Sequence, residues 1–307
     1  MNDPTAIHDT IIVGGGPAGL SGALLLGRCR RKVLLFDEGR PRNEASPAVH
    51  AFLGHEGIAP LDLLERGRDE LARYPNVASY KRRVENIEKE PGFYKVIADD
   101  NSEFRSRALL IATGLIDHLP RVDGIEDFYG HSVHQCPYCD GWENAGMTLG
   151  AMGAGNQAAE LALELLLWSH DVSLFVNGDA PAPELVGKLE RRGVKVFADP
   201  PVRLAGEAKR LSAVELADGT RVACDALFLL SKQTQHDDFA ERLGCELVDG
   251  SQVHCDGDGR TSMPGLFVAG NATEGLQLAM VAAAEGLKAA AAINEWLLDA
   301  DDHDFNR

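Results

Sequence analysis

Twice in this chain a short β-branched or apolar run leads straight into a glycine-rich loop and then an apolar helical stretch. No other feature restricts the fold as strongly. The first instance runs Thr10 to Val13, Gly14 to Gly19, a helical pattern from Leu20 to Leu26, and a strand-like Lys32-Val33-Leu34-Leu35-Phe36 ending at Asp37. The second runs Thr148 to Met152, Gly153 to Ala158, a helix over 159–168, and a strand from Val172 to Val176. Each is a βαβ unit, because strand and helix periodicities alternate across a turn that only small residues tolerate. At 307 residues the chain has room for about two domains of ordinary size. The expectation is an α/β protein with two Rossmann-like nucleotide-binding domains, the second inserted into the first. Ala108 to Gly114 reads as a buried strand closing the first fold. Leu266 to Ala269, Gly270 and a helix over 277–298 return to it. The expected division is 1–115 and 245–307 for the outer domain and 116–244 for the insert.

In the first loop, Gly14-x-Gly16-x-x-Gly19, the first glycine permits the tight turn, the second admits a pyrophosphate to backbone N–H groups, and the third lets helix and strand touch. Pro17 and Ala18 complete the loop, and the helix amino terminus offers partial positive charge to phosphates. Asp37, at the end of the next strand, is placed to accept ribose hydroxyls. The second loop, Gly153-x-Gly155-x-x-Ala158, is competent on paper, but its second strand is followed by Asn177-Gly178-Asp179. No arginine cluster stands there for a 2′-phosphate, and Asp179 is a weak candidate for a 2′-hydroxyl. A retained fold that no longer grips a nucleotide explains this loop equally well.

Cys136-Pro137-Tyr138-Cys139-Asp140-Gly141 sets two thiols at the spacing of a redox pair. Half of a zinc site has the same spacing, but Cys29, Cys224, Cys245 and Cys255 form no second pair. His131 and His134 lie just before the thiols rather than at a separate spacing, so no metal is expected. Asp140 is placed to manage protons for thiolate chemistry. Forty-seven acidic against 30 basic residues give a net charge of −17, the wrong field for a polyanion, so no nucleic acid is expected. The apolar stretches fall short of a membrane span, and the first ten residues lack the basic and apolar regions of a secretory signal, so a cytoplasmic address is expected.

With these motifs in this order the chain resembles the low-molecular-weight thioredoxin reductase family of flavoproteins over nearly its whole length. The resemblance implies FAD held by the outer domain, through Gly14 to Gly19, Asp37, Val84, Ala112-Thr113-Gly114, Gly270-Asn271 and Gln277-Leu278-Ala279. It implies a pyridine-nucleotide-like insert carrying the cysteine pair, a homodimer, and a thioredoxin-like protein or small dithiol or disulfide as partner. By position, Cys139 faces the flavin and Cys136 attacks the partner. Four departures concern the donor or the flavin environment. The family's His-Arg-Arg cluster for NADPH is replaced by Val176-Asn177-Gly178, its aspartate after Gly270 by Asn271, its asparagine near the flavin by Ala51, and its Arg-Gln-Ala by Gln277-Leu278-Ala279. They resemble a side branch in which NAD(P)H reduction is weak or absent and some members are thiol oxidases using dioxygen. Reductase, oxidase and a non-catalytic redox sensor therefore stay open, as do the electron donor and the role of Phe305, which follows the acidic tail Asp299 to Asp304.

Overall fold

The computed structural model describes residues 6–248 and 252–305, with side chains as far as Asp302. The chain divides into two compact units, one of residues 1–42, 51–116 and 233–307, the other of 43–50 and 117–232.

In the first unit, strand Ile7–Val13 lies parallel between Val33–Phe36 and Glu103–Ile111, with Thr10 opposite both Val33 and Ala108. Val77–Tyr80 extends this sheet beyond Val33–Phe36. The long strand Glu103–Ile111 forks. Its first half pairs antiparallel with Phe93–Ala98, which pairs with Val84–Glu90, while its second half pairs parallel with Leu266–Val268. The central strands are buried on both faces, which is why they read as continuous β-branched and leucine runs rather than alternating ones. One face is covered by helices Pro17–Arg28 and Ala279–Phe305, packed through Ala18, Ala23, Ala282, Ala289 and Ala290, whose small side chains let the helices approach closely.

The second unit is built on a parallel sheet in the order Lys195–Phe197, Val172–Val176, Leu149–Gly153, Ala226–Leu229 and Val133–His134. Helix Gly155–Leu165 covers it, and an antiparallel meander of Pro201–Glu207, Arg210–Leu216 and Arg221–Ala223 packs its other hydrophobic cluster.

Three features differ from the sequence expectation, the first being that residues 43–50 group with the second unit. The return to the first unit falls at Lys232 to Gln233, about one short helix before Gly244, because Phe239, Ala240, Leu243 and Cys245 bury into the core around Ile11 and Leu109. The final helix also runs on through the expected acidic tail, to Phe305. Asp301 there takes hydrogen bonds from Arg31 at 3.0 Å and meets Arg107 at 2.6 Å, so the acids are anchored by cations from strand and turn residues. The Phe305 side chain lies outside the described residues. No described helix is long and apolar enough to cross a membrane.

Candidate functional site

The first glycine loop is shaped by backbone contacts that admit no side chain. Gly14 has φ +108°, and a Cβ there would lie 2.2 Å from the Ala112 carbonyl oxygen. Gly19, in the first turn of its helix, would put a Cβ 1.8 Å from the Gly14 carbonyl oxygen. Gly16 is different. It caps the helix without a side-chain hydrogen bond, and nothing stands within 4 Å of where its Cβ would be. Pro17 at the first helical position gives up an N–H that the helix would not use, and Ala18 packs under Gly270.

Asp37 accepts the Gly39 N–H at 3.0 Å through Oδ1, and its Oδ2 lies 3.6 Å from Arg68 Nη1. Its carboxyl also lies over Gly15, where a Cβ would fall 2.4 Å from Asp37 Cγ. Sequence reasoning treated Gly15 as a spacer, yet the carboxylate needs that bare backbone.

Ala112, Thr113 and Gly114 leave the forked strand beside this loop, the Ala112 N–H bonded to the Val13 carbonyl at 2.8 Å. The buried Asp237 carboxylate accepts a hydrogen bond from the Thr113 hydroxyl, and its Oδ1 accepts the Phe239 N–H at 2.9 Å. Burial pushes the Asp237 carboxyl above the usual range, against those bonds. Gly270 and Asn271 begin a short 3₁₀ turn, and the Gly270 N–H donates to Glu285 Oε2 at 2.9 Å. Burial raises the Glu285 carboxyl, and the Gly270 bond opposes it. Just before the last helix, which begins at Ala279 after Leu278, the Gln277 side-chain Oε1 accepts from Arg42 Nη1 at 2.6 Å, and its Nε2 donates to Gln233 Oε1 at 2.9 Å. Val84 lies in the hydrophobic core with its side chain turned inward, leaving only its backbone for any ligand. Arg42, Gln233, Asp237 and Glu285 carried no sequence signal, since none of them belongs to a recognisable motif, Glu285 sitting as a single acid in the apolar first half of the last helix. A helix start with no side-chain cap, open space where a Cβ of Gly16 would stand, and the Asp37 carboxylate at the end of the next strand are what a bound dinucleotide of many polar atoms would use, so these residues fit FAD.

The second glycine loop is differently occupied. Gly155 has φ +63° and opens helix Gly155–Leu165, but its N–H donates to the Asp179 carbonyl at 2.7 Å. Asn156 Oδ1 accepts the Ala182 N–H at 2.9 Å, and Gly178 lies against Ala154. Gly153 backs onto Leu230, and Ala158 is fully buried in the helix–sheet core. The segment after Val176 therefore folds over the loop and uses a donor that a pyrophosphate would need. Charge adds to this. Residues 122–187 contain no Lys or Arg and ten Asp or Glu.

Cys136 and Cys139 are joined by a disulfide across a single helical turn, Pro137–Asp140, with Cα atoms 5.2 Å apart. Pro137 starts the turn at its usual place. The Cys139 N–H points at Cys136 Sγ, 3.1 Å away, a donor that would stabilise a thiolate on Cys136. Asp140 keeps 20% of its side chain exposed, and its Oδ1 is 3.4 Å from Nδ1 of the buried His134. Tyr138 and Trp142 flank the pair, 59% and 80% exposed, with Tyr138 edge-on to Trp168 at 6.2 Å. His131 instead faces Lys209 at 3.0 Å. Among the described residues no group of three or more His, Cys, Asp or Glu is arranged to hold a metal.

A family model described as pyridine nucleotide-disulphide oxidoreductase matches residues 8–286. The chain belongs to that family. A probable thioredoxin reductase of Arthroderma benhamiae is 30% identical over 302 residues, covering 88% of this chain and 75% of the relative. The solved structure of a putative thioredoxin reductase TrxB from Bacillus anthracis superposes with TM-score 0.91 at 32% identity, over 95% of this chain and 99% of that one. The crystal structure of HlmI superposes with TM-score 0.93 at 34% identity, over 98% and 96%. This pyridine nucleotide-disulphide oxidoreductase is thus a thioredoxin-reductase-like enzyme of a flavin-dependent family that uses FAD, with a redox-active disulfide between Cys136 and Cys139.

Proposed function

We propose that this oxidoreductase exchanges electrons between a dithiol partner and the Cys136–Cys139 disulfide, with FAD held in the first unit and without NADPH as its donor. FAD, when bound, supplies a two-electron acceptor for the pair. Gly14, Gly16 and Gly19 would admit its pyrophosphate, Asp37 its ribose, and Thr113, Asn271 and Asp237 its remaining polar atoms. Cys136, with the Cys139 N–H at its sulfur, would meet the partner, Cys139 would leave as the thiolate, and the partner's second thiol would resolve the mixed disulfide while Asp140 handles the proton. A homodimer and a thioredoxin-like or small dithiol partner complete the proposal, supported by the resemblance and by the relatives' names.

The observation that carries the NADPH reading is the Gly155 N–H already bonded to Asp179, in a stretch of 66 residues (122–187) without one basic side chain. A pyridine dinucleotide brings several negative charges to a stretch of chain with ten acids and no Lys or Arg, and to a backbone donor already in use. With a dithiol as donor, dioxygen balances the reaction: dithiol plus dioxygen gives disulfide plus hydrogen peroxide.

The test is anaerobic. NADPH and then NADH are added to the yellow protein while the visible flavin absorbance is followed, and dithiothreitol is added last. We expect bleaching by dithiothreitol alone, then recovery in air with peroxide formed. Fast bleaching by NADPH would return the protein to thioredoxin-reductase-type reduction, and bound flavin that no donor turns over would make it a sensor.

A further inference from the structure

His134 lies behind the redox turn, six residues before Asp140, with its side chain only 5% exposed. Both ring nitrogens face protein groups. Nε2 is 3.4 Å from the Asn144 side-chain nitrogen, and that same amide donates to the Asp140 carbonyl at 2.8 Å, which fixes its orientation. An amide NH₂ can only donate, so Nε2 must accept, and the neutral ring carries its proton on Nδ1. Nδ1 is the atom that faces Asp140 Oδ1 at 3.4 Å. The ring is packed against Phe228, with centroids 5.2 Å apart, and its strand Val133–His134 is paired to the sheet edge through Phe228. Tautomer and direction are therefore set by buried neighbours rather than by solvent.

We infer that His134 is the positioning residue of the dithiol chemistry: through Nδ1–H it holds the Asp140 carboxylate beside Cys139 and steadies it in both protonation states. The inference rests on the dithiol exchange proposed above. A partner thiolate attacks Cys136 Sγ, the Cys136–Cys139 bond breaks, and its electron pair stays on Cys139 Sγ. The partner's second thiol then gives its proton to Asp140 and attacks its own sulfur in the mixed disulfide, and the electron pair of that bond returns to Cys136 Sγ. The partner leaves as a disulfide, the enzyme holds two reduced cysteines, and Asp140 passes its proton to one of them. An Asp140 free to rotate toward water would accept that proton less often in the productive geometry. The sequence offers His134 only as a zinc ligand, because nothing in the spacing shows that the ring turns inward toward Asp140.

The test is a double-mutant cycle on the holoenzyme, using dithiothreitol as the probe under anaerobic conditions. Samples are quenched rapidly, thiols at Cys136 and Cys139 are labelled and counted by mass, and flavin absorbance in the same samples accounts for electrons that have moved on. His134→Gln, which removes the Nδ1 donor, should slow disulfide opening about tenfold or more, the scale of a hydrogen bond to a charged group. His134→Asn, whose amide can donate from near the Nδ1 position, should recover to within about threefold of wild type. In an Asp140→Asn background the same His134→Gln change should cost less than about twofold, because its route of action is gone. An equal cost in both backgrounds would make His134 a structural residue and overturn the inference, as would a His134→Gln rate equal to wild type. Should His134→Gln not fold, His134→Asn decides: a tenfold loss with a native melting temperature overturns the inference, and a near-native rate supports it. Opening by dithiothreitol requires neither a pyridine nucleotide nor dioxygen, so this inference and the donor reading can fail separately.

Discussion

At the scale of single residues, three glycines of one loop have three different reasons to be glycine. Gly19 has no room, since its Cβ would stand 1.8 Å from the Gly14 carbonyl, whereas Gly16 has open space on that side. The consequences of adding one methyl group should therefore separate. Gly19→Ala must push helix from strand and should cost about 1–3 kcal/mol of folding stability, measured by denaturant titration, with flavin lost in proportion. Gly16→Ala should fold with unchanged stability and bind FAD more weakly, because the methyl takes the approach route of the pyrophosphate rather than space in the core. Equal destabilisation by the two would contradict the division of roles. The G-x-G-x-x-G pattern identifies the positions, but only the contacts distinguish packing from ligand approach.

At the scale of elements, the last helix carries a polar run that sequence alone reads as an acidic tail. Asp301 lies on it, between Arg31 and Arg107. Burial raises the Asp301 carboxyl, but the hydrogen bonds and charges of Arg31 and Arg107 outweigh it and hold the pKa below its usual value. For a carboxylate depressed in the folded state, the stabilisation is complete above about pH 5, where the unfolded group is ionised, and is lost as pH falls through the folded value. The site is partly exposed, so the effect is small. Asp301→Asn should lower the melting temperature by about 1–3 °C at pH 7 and by progressively less as the pH falls below about 5. A pH-independent difference would mean that Asp301 acts by packing. The redox turn is an element of another kind, one turn of helix whose position is set by a two-residue edge strand and whose chemistry depends on what that strand carries behind it.

At the scale of the whole molecule, the net charge of −17 is unevenly spread, and residues 122–187, which include both the disulfide and the second glycine loop, hold ten acids and no Lys or Arg. Such a field repels anions and attracts cations over distances that salt shortens. Opening of the disulfide by a dicarboxylate dithiol should be slower than by neutral dithiothreitol at low ionic strength and should speed up several-fold as salt rises to about 0.5 M. A cationic dithiol peptide should show the opposite slope, and salt-independent rates for both would remove charge from the account of partner choice. The βαβ units, the glycine loops, the cysteine pair and the absence of a phosphate clamp were all legible in the sequence, because periodicity, glycine spacing and missing charges are local properties of the chain. Four features were not. The fork of Glu103–Ile111, the Asp179 carbonyl on Gly155, Arg42 and Gln233 on Gln277, and His134 turned toward Asp140 each join groups from separate turns or distant segments. The sequence alone determined which chemistry the chain carries, since residue type and near spacing decide what a thiol, a bare backbone or a missing arginine can do. Only the tertiary structure decided which donors are already used and which side chain stands behind which, because hydrogen bonds are made at about 3 Å by atoms whose approach no local pattern records.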